Sequence, residues 1–108
     1  MLAMQEMKRV CQEIKELLYP SLVVLYGKKV NVSSEKIKSF DLCIVVDVEE
    51  KLMAEKMIYS NIEASIPFNI IIYTNDEWRE CLNDEGSYAN FINKKGTIIY
   101  EKRWAYHW

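Results

Sequence analysis

Leu22-Val23-Val24-Leu25-Tyr26-Gly27 and Asp41-Leu42-Cys43-Ile44-Val45-Val46-Asp47-Val48 stand on either side of a polar stretch that ends in Ser39-Phe40. The two apolar runs are continuous and rich in β-branched residues, and Pro20 and Gly27 bound the first. Runs of that kind predict strands buried on both faces of a sheet. Between them Lys28, Lys29, Lys36 and Lys38 face a single acid, Glu35. The stretch from 27 to 40 therefore reads as a glycine turn and a long lysine-rich loop, with Asp41 opening the second strand.

Upstream, Met7, Val10, Cys11, Ile14, Leu17 and Leu18 recur at i, i+3, i+4 and i+7, which predicts an amphipathic helix stopped by Pro20. Downstream, Glu49-Glu50 begins a second helical stretch, its acids placed to complement the positive end of a helix. Leu52, Met53, Met57 and Ile58 form its expected apolar face, with Ile62 near the end. Pro67 introduces a third strand, Phe68 to Tyr73. Thr74-Asn75-Asp76-Glu77 is a capping box for a short helix with Trp78, Cys81 and Leu82 inward. Ser87 caps another, with Tyr88, Phe91 and Ile92 inward and Gly96 at its end, before a last β-prone run from Thr97 to Tyr100. This order predicts an α/β (α+β) protein with a small mixed sheet covered by helices.

Composition narrows the function classes. A chain of 108 residues, 50% hydrophobic and with three Gly and two Pro, reads as one domain spanning 1–108 without linker or repeat. Three scattered cysteines and one histidine, His107, argue against a zinc site and a disulfide framework. Apolar runs stay at about four to six residues, short of the roughly 20 that span a bilayer, so no membrane role is expected. Glu6, Lys8 and Arg9 interrupt the N-terminal apolar residues, unlike a signal peptide, and a cytoplasmic protein with reduced thiols is expected. The net charge of −2 hides an asymmetry: residues 28–40 carry +3, leaving −5 elsewhere.

Leu25-Tyr26-Gly27, Ser39-Phe40-Asp41 and Pro67-Phe68-Asn69-Ile70-Ile71-Ile72-Tyr73-Thr74 together resemble the minimal nucleotidyltransferase domain of the polymerase-beta-like superfamily. Thr74 to Trp78, Ser87 and Gly96 to Tyr100 are also similar to the ends of such domains, so the resemblance spans residues 5–102. It implies a nucleotidyltransferase-like fold with a Gly-Ser turn, an Asp-x-Asp at the head of the second strand and a third acid on the third strand. There the carboxylates hold two divalent ions that clamp a triphosphate and activate a hydroxyl. On this likeness Gly27 takes the glycine position and Asp41 the second aspartate. Lys28 replaces the usual serine, Val32 the second glycine, Ser39 the first aspartate and Asn69 the third carboxylate.

Ser39 and Asn69 are thus substituted catalytic positions, Asp41 is a vestigial metal ligand, and Gly27, Lys28 and Lys29 are the nucleotide- or phosphate-binding positions that the resemblance implies. Neutral oxygens at two of three positions leave too little negative charge for two dications. The leading expectation is a degenerate, catalytically inactive member that binds protein, antitoxin-like beside a small helical HEPN-type partner, or as a homodimer. No cofactor is expected, with Mg²⁺ and a nucleoside triphosphate entering only if activity remains. One alternative is a weak or altered metal-dependent nucleotidyltransferase using Asp41. Another is metal-independent binding of nucleotide or nucleic acid by the 28–38 lysine loop. Glu35 and Asp47 do not replace the missing ligands: Glu35 falls in the loop, and Asp47 lies about 20 Å along an extended strand from Asp41. The aromatic tail Arg103-Trp104-Ala105-Tyr106-His107-Trp108 suits either folding back over the core or meeting a partner.

Overall fold

Four strands form one mixed sheet in the order β3-β2-β1-β4 in the computed structural model, which describes residues 2–102. The tail at 103–108 lies outside the described residues. In chain order the elements are α1 (Leu2–Leu18), β1 (Leu22–Val30), β2 (Ile37–Val45), α2 (Lys51–Asn61), β3 (Phe68–Tyr73), α3 (Asn75–Leu82), α4 (Tyr88–Lys95) and β4 (Thr97–Glu101). The fold is mixed α+β. β1 runs antiparallel to both β2 and β4, while β2 and β3 are parallel and joined by the crossover through α2.

The two central strands explain the continuous apolar runs, because each alternates between two helical layers. Val23, Phe40, Leu42 and Ile44 pack beneath α1 and α2, against Val10, Ile14 and Ile58. Val24, Cys43 and Val45 pack on the opposite face against Trp78, Ala89 and Ile92 of α3 and α4. Burying such a side chain stabilises by about 1.5–3 kcal/mol, so the sheet is held from both sides.

The lysine-rich stretch is mostly strand rather than loop. β1 continues to Val30 and β2 begins at Ile37, so a hairpin connection of residues 31–36 replaces the expected connection from 27 to 40. Asn31 builds that connection: its side-chain oxygen accepts from the amides of Ser33 and Ser34 at 3.0 and 3.2 Å. Glu35 closes it with a left-handed φ of 58°. The lysines tolerate strand geometry because the antiparallel ladder satisfies the backbone and leaves their ammonium groups in water.

Two other expectations change at the helices. α2 begins at Lys51, after Glu49-Glu50, and Glu50 makes no side-chain cap. Its buried row is Ala54, Ile58 and Ile62, whereas Leu52, Met53 and Met57 are 61%, 53% and 39% exposed. One row at i, i+4, i+8 suffices to seat the helix, so its other apolar residues lie outside the buried stripe. On α4, Ala89, Asn90 and Ile92 face inward, while Tyr88 and Phe91 are half exposed. Both short helices start as expected. Thr74 accepts from the Glu77 amide while Glu77 accepts from the Thr74 amide, and Ser87 accepts from the Asn90 amide.

Candidate functional site

Gly27, Asp41 and Asn69 occupy one row across three strands. Gly27 sits opposite Asp41 in the antiparallel β1–β2 ladder, and Asp41 sits opposite Asn69 in the parallel β2–β3 ladder. Asp41 shares its sheet face with Cys43 and Val45, the side that α3 and α4 cover. It stands two residues beyond the covered part, so its carboxylate is only partly buried.

The glycine is required by space. A Cβ at position 27 would lie 2.6 Å from Asp41 Oδ2, closer than any real contact of that kind. Its backbone is not left-handed, so conformational freedom is not the reason for it. A register shift between Leu25 and Gly27 inserts Tyr26 as an extra residue. That bulge places the Tyr26 ring edge-on to Tyr88, with centroids 5.9 Å apart, and Tyr88 stacks on Phe91 at 5.7 Å. Burial, with Tyr88 and the Asp41 carboxylate nearby, pushes the Tyr26 phenol up, so its hydroxyl stays protonated.

Asn69 Nδ2 donates to Asp41 Oδ1 at 2.9 Å. An amide therefore engages the one carboxylate of the row. Ser39, two residues before Asp41 on the same strand face, pairs with Lys29. The frame thus brings together Gly27, Lys29, Ser39, Asp41 and Asn69, and it holds one acid. Among the described residues no group of three or more His, Cys, Asp or Glu side chains has metal-binding geometry. Cys43, the next residue along this face, is buried, and burial pushes its thiol up to about 12. It packs as an apolar side chain and is not poised as a nucleophile.

The other lysines disperse. Lys28 pairs with Phe40, whose face carries α1, and lines a cleft between α1 and β4. Lys28 and Lys29 therefore point to opposite faces, as successive strand residues must. Lys36 lines a separate cleft of about 650 Å³ beside Glu6, Arg9 and Ile37. Lys38 occupies the register shift between Lys29 and Val30 and is exposed. Asp47 lies past the end of β2, and Glu35 is in the hairpin connection. Neither adjoins Asp41 in the ladder.

Two features went unread in the sequence. The Tyr26–Tyr88–Phe91 step was hidden because Tyr88 and Phe91 sit at helical spacing with Ile92 and pass for core. The cleft carrying Lys28 depends on how α1 lies over β4, and no local pattern encodes that. No family model, curated protein or solved structure matches the chain.

Proposed function

We propose that the protein is a degenerate nucleotidyltransferase-like domain that acts by binding protein and not by nucleotidyl transfer. One observation carries the reading. The side chain opposite Asp41 on β3, where a catalytic member would place a carboxylate, is an amide that hydrogen-bonds Asp41. The Gly27–Asp41–Asn69 row supports the ancestry, since glycine, aspartate and third-strand residue fall side by side on adjacent strands. The substitutions oppose the chemistry. Mg²⁺ gives up water reluctantly and favours anionic oxygen, and Ser39, Asp41 and Asn69 offer a single negative charge. Two-metal clamping contributes several kcal/mol of transition-state stabilisation, which this row does not supply. The protein is then an antitoxin-like or dimerising module, paired with a helical HEPN-type protein or with itself. Anion binding by the lysine segment has less support, because Lys28 and Lys29 diverge to opposite faces.

The test combines metal titration with label transfer. Wild-type protein incubated with radiolabelled ATP, Mg²⁺ or Mn²⁺ and proteins co-purifying from its source is expected to transfer no label. It is also expected to show no calorimetric binding of Mn²⁺ at millimolar concentration. The S39D/N69D double variant rebuilds three carboxylates and is expected to bind Mn²⁺. Label transfer by the wild type that disappears in Asp41→Ala would overturn the reading.

A further inference from the structure

We propose that the outer edge of β4 accepts an extended acidic segment of a partner protein as an added strand, with Lys8, Lys15 and Lys28 receiving its carboxylates. The site rests on the binding-module reading above and gives that module's partner a chemical class.

β4 is the last strand of the sheet, and among the described residues it pairs only with β1. Among the described residues no strand pairs with the N–H and C=O groups of its outer edge. Proteins commonly blunt such an edge with proline, inward charge, bulges or a covering segment. The strand Thr97-Ile98-Ile99-Tyr100-Glu101 contains no proline, its one irregularity is a register shift that leaves Ile99 unpaired opposite Val23 and Val24, and Ile98 and Ile99 are 52% and 38% exposed. An edge that exposes Ile98 and Ile99 and is unpaired among the described residues is suited to strand addition.

Beside it runs a cleft of about 570 Å³ between α1 and β4, floored by Met7, Cys11 and Leu25. Lys8 and Lys15 approach from α1 and Lys28 from β1, and among the described residues no Asp or Glu lines the cleft. Lys15 Nζ lies 4.7 Å from the Tyr100 ring centroid, which holds one ammonium directly over the strand. Side chains of an added strand alternate in direction. One set would enter this apolar, basic cleft while the backbone extends the sheet.

Charge decides between occupants. A second copy seated edge to edge brings its own Lys8, Lys15 and Lys28 against these three, and like charges oppose that pairing. A nucleic-acid strand offers phosphates to the lysines but leaves the N–H and C=O edge and the apolar floor unmatched. An acidic peptide with alternating apolar residues satisfies all three features.

Fluorescence anisotropy with fluorescein-labelled peptides that alternate glutamate with valine, leucine, phenylalanine or tyrosine tests the proposal. At least one is expected to bind, and the exposed-site variant K8E/K28E is expected to weaken it about tenfold or more. Lysine-for-glutamate peptides are expected to prefer that variant. Methylating alternate backbone nitrogens of the best peptide is expected to abolish binding to unaltered protein, which separates strand addition from simple charge attraction. Binding that survives N-methylation, no binding of any peptide at millimolar concentration, or tighter binding of oligouridylate at the same lysines overturns the proposal. So does a dimer in sedimentation that Ile98→Lys dissociates. Label transfer leaves these outcomes untouched, so failure here and failure of the binding-module reading are told apart.

Discussion

Asn69 Nδ2 donates to Asp41 Oδ1 at 2.9 Å from the position directly across the parallel ladder. The geometry keeps one acid of the row engaged by a neutral donor. Replacing the donor by a carboxylate in Asn69→Asp sets two negative charges side by side on adjacent strands. The variant is expected to lose about 1 kcal/mol through the missing hydrogen bond, equivalent to roughly 4–8 °C in melting temperature for a domain near this size. Millimolar Mn²⁺ is expected to restore the variant's melting temperature and to leave the wild type unchanged. Thermal melts with and without Mn²⁺ decide this, and an equal shift in both proteins means the wild-type row already holds metal.

Two glycines are kept small by different neighbours, and their alanine variants should separate. At Gly27 the added Cβ meets a carboxylate oxygen, which can rotate away only by leaving Asn69. Gly27→Ala is expected to cost about 1 kcal/mol, and less in an Asp41→Ala background, because the clash and the hydrogen bond are removed together. At Gly96 the added Cβ lies 2.3 Å from Val24 Cγ1 and 2.7 Å from the Ile92 carbonyl oxygen. Backbone cannot swing aside, so Gly96→Ala is expected to cost about 2–3 kcal/mol. Urea denaturation of the wild type and the four variants, including the double variant, measures both costs and the coupling.

What could be read ahead of the structure follows from which residues speak locally. The strand cores announced themselves because burial on both faces demands unbroken apolar runs, and the register then set Gly27, Asp41 and Asn69 in a row. The capping box at Thr74 was legible because its two hydrogen bonds span three residues. Lys28 and Lys29 misled, since a run of lysines resembles a loop while a paired strand can carry them facing water. α2 misled for the opposite reason: Leu52, Met53 and Met57 are as apolar as Ile58, and only the placement of the sheet selects Ala54, Ile58 and Ile62. Gly96 ends α4 with φ −79°, so its role is close packing on Val24 and not the left-handed turn usual at such positions.

The Thr74 cap also joins two layers, which raises its importance. Glu77 Oε1 accepts from the Thr74 amide at 2.9 Å, and Glu77 Oε2 accepts from Lys51 Nζ of α2 at 3.0 Å. These contacts hold the Glu77 carboxyl below the usual range, the Thr74 amide contributing most. Thr74→Ala is expected to cost about 1 kcal/mol, and Thr74→Ser a few tenths. Hydrogen exchange should locate the loss, with faster exchange at Glu77 and Trp78 and unchanged protection at Ile44.

Glu6 gives the clearest dependence on pH. Its carboxylate accepts from the Ser65 hydroxyl and from the Ser65 amide at 3.0 Å, and it also pairs with Arg9. These contacts, the Ser65 hydroxyl first, hold its pKa at about 2, below the ordinary 4.5. They tie α1 to the connection between α2 and β3, where Arg9 also donates to the Glu63 carbonyl. A depressed native pKa means that the unfolded chain binds the proton more readily. The stabilisation is therefore complete above the ordinary value of 4.5 and drains away as pH falls from there toward 2. Glu6→Gln is expected to have a lower urea midpoint than wild type near neutral pH, with the gap closing across that acid window. Glu77 shifts in the same direction, so the comparison belongs in a Glu77→Gln background, where Glu6 alone supplies the difference. Because the pair is exposed, salt should narrow the neutral-pH gap. A gap that stays constant down to pH 2 would show that Ser65 does not hold Glu6 in solution.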